Sequence, residues 1–424
     1  MDENHQDKTE SELTATEDKL SPPPLSTKDH RGPHRPQDNR MGAIIKSLGF
    51  FGYDKETKEY TPDGQLAKIT KEHQPGKTFW DWLQLVGILL IPLVIFLATM
   101  RFNQQQADLA NQQHQADQQI ANDQQREATL QTYLNDMSNL LLNNKLLKSK
   151  PGDVERQVAR ERTLTTLRRL KADRNRIVLQ FLRDAHLIGI QDAVIDLSNA
   201  DLSNDDLSGT DLSGVNLRNA ILNGADLSSV HLNGTILNGA DLSGADLNGT
   251  IMGGVDLSGA HLNGAHLNGA NLSNAALKDA NLSNAFLNGA HLNGATLNGA
   301  NLSNATLDGA ILSGAILNGA ILSNVFLDGA YLSGADLSGA DLIYAHLSGA
   351  DLSDATLDGA YLSGADLNGA TLIYAYLSGA DLSGATLDGA FLSGARNLTQ
   401  QQLDKVYSCT NAILSTGLTC HHNQ

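Results

Sequence analysis

The chain has 424 residues and a formal net charge of −17 at pH 7. A surface this acidic does not attract nucleic acid through phosphate contacts, so we expect no direct nucleic-acid binding. Its two cysteines, Cys409 and Cys420, are too few for a disulfide framework, and the sequence leaves open whether they pair or stay as free thiols.

Residues 1–76 are predicted to be disordered. The start of the chain is polar and charged, and prolines follow at positions 22, 23, 24, 33 and 36, where they oppose a regular helix or strand. A short apolar cluster between Met41 and Tyr53 has two interpretations, transient structure or a segment that lies on a membrane surface.

Residues 79–102 are predicted to form one transmembrane helix. The stretch 83–100 carries no charge, and about 18–20 apolar residues span the hydrocarbon core of a bilayer. Trp80 and Trp82 at one end and Phe102 at the other stand where interfacial anchors stand, and Pro92 is tolerated in such helices. The alternative is a buried helix of a soluble protein.

The lysines around this segment indicate its orientation. Lys68, Lys71 and Lys77 precede it, whereas Arg101 stands nearly alone on the far side. The positive-inside rule therefore places the N terminus in the cytoplasm, by a small margin. We expect a single-pass protein of a bacterial plasma membrane, with lipid as one partner.

Residues 103–150 predict a helical stalk, and residues 151–190 a basic helical cap module. The stalk is rich in Gln, Ala and Asn and can self-associate through a stripe that includes Leu130, Leu134 and Met137. Pro151-Gly152 ends it, and two helices are predicted at about 153–171 and 174–185. We expect this module to cover the open end of the following domain, and its arginines to face solvent, lipid headgroups or that acidic domain.

Residues 191–395 contain a strict five-residue repeat. Leucine recurs at every fifth position from Leu197 to Leu392, with Met252 as the one replacement, in units such as Ala240-Asp241-Leu242-Ser243-Gly244. A period of five fits neither a helix nor a strand, so the pattern predicts a solenoid. Four units close a coil of 20 residues, and the array then forms about ten coils at a rise of about 4.8 Å each.

The pattern A-[D/N]-L-x-x over residues 196–395 resembles the pentapeptide-repeat family. The resemblance implies an all-β solenoid, a right-handed quadrilateral β-helix with the leucines inward, here preceded by the transmembrane helix and the α-helical module. Some soluble members are acidic rods of the size of B-DNA that bind a type II topoisomerase in place of DNA. Asp205 stands where the pattern has Ala, so the first coil is expected to be irregular or solvated there.

Residues 396–424 are predicted to cap the C-terminal end of the solenoid. Asn397-Leu398 slips out of register and ends the array. Thr399 and Gln402 then predict a capping box that opens a short helix to about Tyr407.

An apolar belt is the first candidate interaction surface. Its members occupy five successive outward positions, and they are Ile311, Ile316, Ile321, Phe326 and Tyr331. Exposed apolar patches commonly mark contact surfaces, so we predict a protein-binding or self-association site. The alternative is that strand propensity alone favours these residues.

A second candidate is an acidic strip made of Asp206, Asp226 and Asp246, which the 20-residue coil stacks on one face. It is interpreted as a solvated strip or as one that attracts cations. Histidines at 231, 261, 266, 291 and 346 include no pair 20 residues apart, so no converging metal ligands are expected. Without a nucleophile–base constellation or a phosphate loop, the sequence predicts no catalytic site and no cofactor.

These features predict a membrane-anchored, non-enzymatic scaffold that presents a rigid repeat rod to a protein partner. The alternative, implied by the family resemblance, is an acidic DNA mimic that binds a type II topoisomerase. The membrane anchor and the uncharged belt favour the scaffold.

Overall fold

The computed structural model describes residues 53–76, 78–143, 146–170, 173–189 and 193–421. The chain divides into two compact units, residues 1–112 and residues 113–424. One long helix contributes residues to both units.

A β-hairpin opens the described part of the first unit. Strands β1 (Tyr53–Tyr60) and β2 (Leu66–Gln74) pair antiparallel. The turn between them closes through the N–H of Gly64, which donates to the carbonyl of Thr61 at 2.9 Å, and Gly64 has a φ of 81°. The side chains of β1 and β2 described by the structure are exposed.

The disorder predicted for residues 1–76 is therefore wrong for this hairpin. The sequence Pro62-Asp63-Gly64 is a strong turn signal, and cross-strand pairs such as Lys71 with Glu56, 3.2 Å apart, suit an exposed ribbon. Residues 1–52, and with them most of the apolar cluster, lie outside the described residues.

Helix α1 (Phe79–Asn143) runs without a break through both the predicted transmembrane segment and the predicted stalk. Its start is capped by Thr78, whose N–H donates to the carboxylate of Asp81 at 2.7 Å. An 18-residue window of this helix has a mean hydropathy of 2.5 and is not buried in protein at all. By length and composition, α1 is therefore a candidate membrane span.

The end of α1 packs in the second unit with a 3₁₀ turn (Leu146–Lys148), helix α2 (Val154–Leu170) and helix α3 (Asp173–Asp184). Leu130, Tyr133 and Met137 of α1 are buried against the apolar faces of α2 and α3. The Tyr133 hydroxyl pairs with Thr163 at 2.9 Å, and burial raises the pKa of Tyr133. The two helices predicted at about 153–171 and 174–185 are confirmed to within one or two residues.

The repeat region forms a β-helix whose coils are held by parallel bridges between residues 20 apart. Four such ladders run along it, for example Thr296↔Ile316 and Ile311↔Tyr331. The repeat leucines are at most 1 % exposed, and the alanines between them are at most 3 % exposed. Each buried leucine contributes about 1.5–3 kcal/mol of transfer free energy to the stability of the domain.

Each five-residue unit uses its backbone groups in the same way. The N–H of Leu297 donates to the carbonyl of Ile316 on the next coil at 2.6 Å, and the N–H of Ile316 donates back to Ala295 at 2.9 Å. The N–H of Ala300 closes the corner on the carbonyl of Leu297 at 3.0 Å. Gly299 takes a φ of 65° at this corner, which explains why Gly and Asn dominate that position.

The helical module covers the N-terminal end of this β-helix, as the sequence predicted. Arg160 donates to the carbonyl of Ser198 at 2.9 Å, and Arg183 donates to the carbonyl of Ser213 at 2.7 Å. Several arginines of the cap therefore bind the first coils, which is one of the three interpretations that the sequence left open. Arg168 and Arg169 remain exposed.

Asp205 is part of this junction rather than a defect. Its side chain is 1 % exposed, and the buried amide of Asn175 on α3 donates to it at 2.6 Å and to the carbonyl of Leu167 at 2.8 Å. The irregular or solvated first coil that the sequence predicted at Asp205 is wrong, because its bridges and turns continue in register there.

The C-terminal cap begins with helix α4 (Gln400–Leu403), whose capping box pairs Thr399 with Gln402 as predicted. Gln402 also donates to the carbonyl oxygens of Leu377 at 2.8 Å and Ala380 at 2.9 Å. The helix ends before Tyr407, earlier than predicted, because the N–H of Tyr407 returns to the ladder and donates to Ala385 at 2.7 Å.

The junction at Asp205 generates a stability prediction. Asn175→Ala should lower the free energy of unfolding by about 1–3 kcal/mol, because it removes a donor from a buried carboxylate. In the double variant with Asp205→Ala, which restores the repeat residue, most of this loss should disappear. Chemical denaturation in detergent, followed by circular dichroism, gives the free energy of unfolding of the full-length protein, of both single variants and of the double variant. A coupling energy of zero in this double-mutant cycle would contradict the assigned contact.

Candidate interaction surface

The apolar belt lies where the sequence placed it. Ile311, Ile316, Ile321 and Phe326 occupy the four ladders in turn, and Tyr331 returns to the first ladder above Ile311. Ile311 is half-buried, and the other four are 39–53 % exposed. The coil thus places an outward apolar residue on each of the four ladders at about the same level.

The two rims of the belt differ in charge. On the C-terminal side the ladders place Asp336 beside Ile316, Asp341 beside Ile321, and Asp351 beside Tyr331. On the N-terminal side the corresponding neighbours include no carboxylate, and they are His291, Thr296, Asn301 and Thr306. The surface therefore combines an apolar centre with one acidic rim.

Two stacked ring pairs lie on the ladder that contains Phe326. Phe326 stacks on His346, with ring centroids 4.6 Å apart and an interplanar angle of 9°. His266 stacks on Phe286 at 4.8 Å and 24°. Sequence reasoning missed both pairs, although their spacing of 20 residues is the signal that would have found them.

The acidic strip also lies on that ladder, and its carboxylates are engaged in local turns. Asp206 accepts the hydroxyl of Ser208 at 2.6 Å and its N–H at 3.1 Å, and these bonds hold the pKa of Asp206 below its ordinary value. Arg176 of α3, 3.8 Å away, acts in the same direction. Asp226 and Asp246 accept the N–H two residues ahead in the same way.

Asp211 marks a second contact between the acidic repeats and the basic module. Burial raises the pKa of Asp211, but hydrogen bonds from Ser213 and the guanidinium of Arg183 outweigh it and hold the pKa below its usual value. The Arg183 side chain donates to this carboxylate at 2.6 Å. Part of the acidity of the repeats is thus used to attach the cap.

The aromatic residues predicted as membrane anchors all belong to α1. Trp80 is 68 % exposed and contacts Phe79 edge-on at 6.0 Å, Phe102 is 59 % exposed, and Trp82 is half-buried. They flank the apolar window of this helix. Their role at a membrane interface stays a prediction.

Two tyrosines replace the usual small residue at corners of the β-helix. Tyr344 and Tyr374 take positive φ values of 56° and 60°, and their rings lie over Gly364 and Gly394 on the next coil. Each ring stands 2.5 Å from the position that a Cβ at that glycine would take, so only glycine admits it. The 30-residue spacing of the tyrosines puts these corners on opposite sides of the coil.

Cys409 and Cys420 form a disulfide in the C-terminal cap, with their Cα atoms 5.9 Å apart. Of the two states that the sequence left open, the structure therefore contains the paired one. Within the described ranges, no group of three or more His, Cys, Asp or Glu side chains could hold a metal ion.

Comparison with known proteins identifies the repeat region. The family described as Pentapeptide repeats matches residues 195–396 in eight copies. HetL of the cyanobacterium Nostoc, a pentapeptide repeat protein involved in heterocyst differentiation regulation, is 32 % identical over 57 % of this chain and 98 % of its own, with a TM-score of 0.27. The chain belongs to the pentapeptide-repeat family, which implies the right-handed β-helix.

Two further solved structures are similar over shorter stretches. QnrB1, a plasmid-mediated fluoroquinolone resistance protein, is 22 % identical over 44 % of this chain and 89 % of its own, with a TM-score of 0.27. Rfr23 of the cyanobacterium Cyanothece is 34 % identical over 28 % of this chain and 63 % of its own, with a TM-score of 0.14. No curated protein sequence matches the chain significantly.

The carboxylates at the cap generate a pH prediction. Because the pKa values of Asp206 and Asp211 are lowered in the folded state, their contribution to stability is present above the unfolded pKa of about 3.9 and is lost as the pH falls through the lower folded values. The melting temperature of the unmodified protein should be higher than that of Arg183→Gln at pH 7. The difference between the two proteins should shrink when the pH falls below about 4.

The matched control is Arg168→Gln, which removes an exposed arginine of α2. Its melting temperature should follow that of the unmodified protein at every pH. A constant difference between the unmodified protein and Arg183→Gln from pH 7 to 3 would contradict the assigned ion pair.

Proposed function

We propose that this pentapeptide-repeat protein is a membrane-anchored, non-enzymatic scaffold whose β-helix binds a protein partner. The observation that carries the proposal is the exposed apolar part of α1, where Ile88 and Leu89 are 72 % and 67 % exposed and the whole 18-residue window is uncovered by protein. Exposure of that much apolar surface to water is unfavourable by about 25 cal/mol for each Å². A lipid bilayer removes this penalty.

Two features support an orientation with the N terminus in the cytoplasm and the repeats on the other side. Lys68 and Lys71 lie just before the apolar segment, on the side that the positive-inside rule assigns to the cytoplasm. The disulfide between Cys409 and Cys420 belongs in an oxidising compartment, and such compartments lie outside the bacterial cytoplasm.

The apolar belt is the proposed partner-binding surface. Protein interfaces commonly have an apolar centre and a polar rim. The acidic rim formed by Asp336, Asp341 and Asp351 favours a partner whose own apolar patch is bordered by lysine or arginine.

The four ladders and the 20-residue spacing also support the finer form that we propose for the β-helix, a rod of square cross-section with about ten coils.

The alternative function is an acidic rod that binds a type II topoisomerase in place of DNA. The net charge of −17 favours it. Against it, Arg176 and Arg183 already contact Asp206 and Asp211, and the belt interrupts the acidic faces. The proposed orientation would also keep the rod away from a cytoplasmic enzyme.

Membrane topology tests the anchor and the orientation. Single cysteines replace Lys58 on the hairpin or Tyr361 on the β-helix, both exposed, and intact cells receive a membrane-impermeant maleimide. Tyr361→Cys should react in intact cells, and Lys58→Cys only after lysis. The reverse result would overturn the orientation and make topoisomerase binding worth testing, and equal labelling of both would show that the segment does not span the membrane.

The belt has its own test, a photo-crosslinking residue placed at Tyr331 in the full-length protein in membranes. A discrete crosslinked adduct should form and should vanish when Ile316→Asp and Phe326→Asp are added, because charge disrupts the apolar contact. The control pair is Ile221→Asp and Ile251→Asp, which changes two isoleucines with similar exposure outside the belt. An adduct unaffected by the belt variants would refute the assigned surface.

A further inference from the structure

The ladder through Thr306 carries a residue order that reads the same in both directions. From Thr306 outward, the paired positions are Phe286 and Phe326, then His266 and His346, then Asp246 and Asp366. Both members of each pair lie at the same number of coils from Thr306. The outer surface of this face therefore has an approximate two-fold axis through Thr306, although the backbone runs in one direction.

The contacts along the ladder follow the same symmetry. On each side of Thr306 a phenylalanine ring stacks on the histidine beyond it, at 4.8 Å for Phe286 with His266 and at 4.6 Å for Phe326 with His346. The two phenylalanines are similarly exposed, at 40 % and 39 %. The symmetry therefore extends from residue type to ring packing and exposure.

We propose that this face binds a second copy of the chain, with the two β-helices antiparallel and a two-fold axis passing between their Thr306 side chains. A two-fold interface uses the same patch on both subunits, so a patch with its own two-fold pattern is suited to it. An unrelated partner would have no reason to match residue types symmetrically about Thr306. The inference rests on the proposed role of the β-helix as a contact surface and, for the occupancy of this small contact, on the membrane anchor.

This arrangement brings the apolar groups of the two copies together. Thr306 lies opposite Thr306 of the second copy, at the centre of the contact. Phe286 faces the second copy's Phe326, which joins the two apolar surfaces. At each end of the contact Asp246 faces the second copy's Asp366, and these carboxylates repel each other. Each carboxylate also lies one coil, about 4.8 Å, from the level of a histidine of the other copy, which can donate to it.

The contact is small, and the anchor compensates for its size. The ladder from Asp246 to Asp366 spans six coil steps, about 29 Å at sheet spacing. One face of this length is a weak interface by the standards of stable dimers. Confinement of both copies to a membrane raises their effective concentration, so a weak symmetric contact can still be occupied.

Cysteine crosslinking tests the pairing in the full-length protein, reconstituted in vesicles of phosphatidylcholine and phosphatidylglycerol. Thr306→Cys should give a disulfide-linked dimer on mild oxidation, because the axis brings the two cysteines together. Thr296→Cys is the matched control, since it changes a half-buried threonine on the opposite ladder and should stay monomeric. The native cysteines remain paired with each other.

The register has a separate test. His266→Cys and His346→Cys should crosslink with each other when two differently tagged copies are mixed. Neither variant should crosslink with a second copy of itself, because the same cysteine in that copy lies about four coil steps away. Self-crosslinking of either variant alone would indicate parallel rods and overturn the proposal. The absence of a dimer for Thr306→Cys, with circular dichroism unchanged, would overturn it too, whereas a belt adduct at Tyr331 would still support the scaffold function.

Discussion

The inward stacking of leucine on leucine, coil above coil, is the constraint on which the rest of the structure depends. Each coil satisfies its backbone groups on the coils before and after it, as the bonds between Leu297 and Ile316 illustrate. A single coil would therefore leave both of its edges unpaired. The column is stable only as an array, and an array needs a cover at each end.

Both covers follow from that requirement. At the first coil, α3 inserts Asn175 to bond Asp205, and arginines bind carbonyl oxygens that would otherwise face solvent. At the last coil, Gln402 reaches the carbonyl oxygens of Leu377 and Ala380. The helical module and the C-terminal tail are thus parts of the same domain as the repeat. The basic charge of the helical module complements the acidic charge of the repeats.

The sequence predicted the features that arise from strong local periodicity or capping, namely the β-helix, α2, α3 and the Thr399 capping box. It failed at the hairpin, because the composition of residues 1–76 masked the turn at Pro62-Asp63-Gly64. It predicted helix on both sides of residue 102, in the transmembrane segment and in the stalk, and α1 covers both. The pairing of Cys409 with Cys420 depends on how the tail folds, which spacing alone cannot give.

The candidate surfaces show a different limit of sequence reasoning. The belt was found by reading successive outward positions, whereas the two-fold order around Thr306 appears only when positions 20 apart are read together. Leu and Ala inside the coil determine the fold, so outward residues that make no turn hydrogen bond are less constrained by folding. Order among those residues, such as the phenylalanine and histidine pairs around Thr306, is therefore better explained by contact than by folding.

For the acidic residues of the repeats the conclusion is the opposite, because folding explains them. Asp206, Asp226 and Asp246 each accept the N–H two residues ahead, so an aspartate at that position also stabilises the corner of the coil. A net negative charge then arises from turn chemistry repeated many times, whatever the protein binds. Acidity alone is therefore weak support for DNA mimicry, and the uncharged, patterned residues of the belt and of the Thr306 ladder are the better guide to what this β-helix contacts.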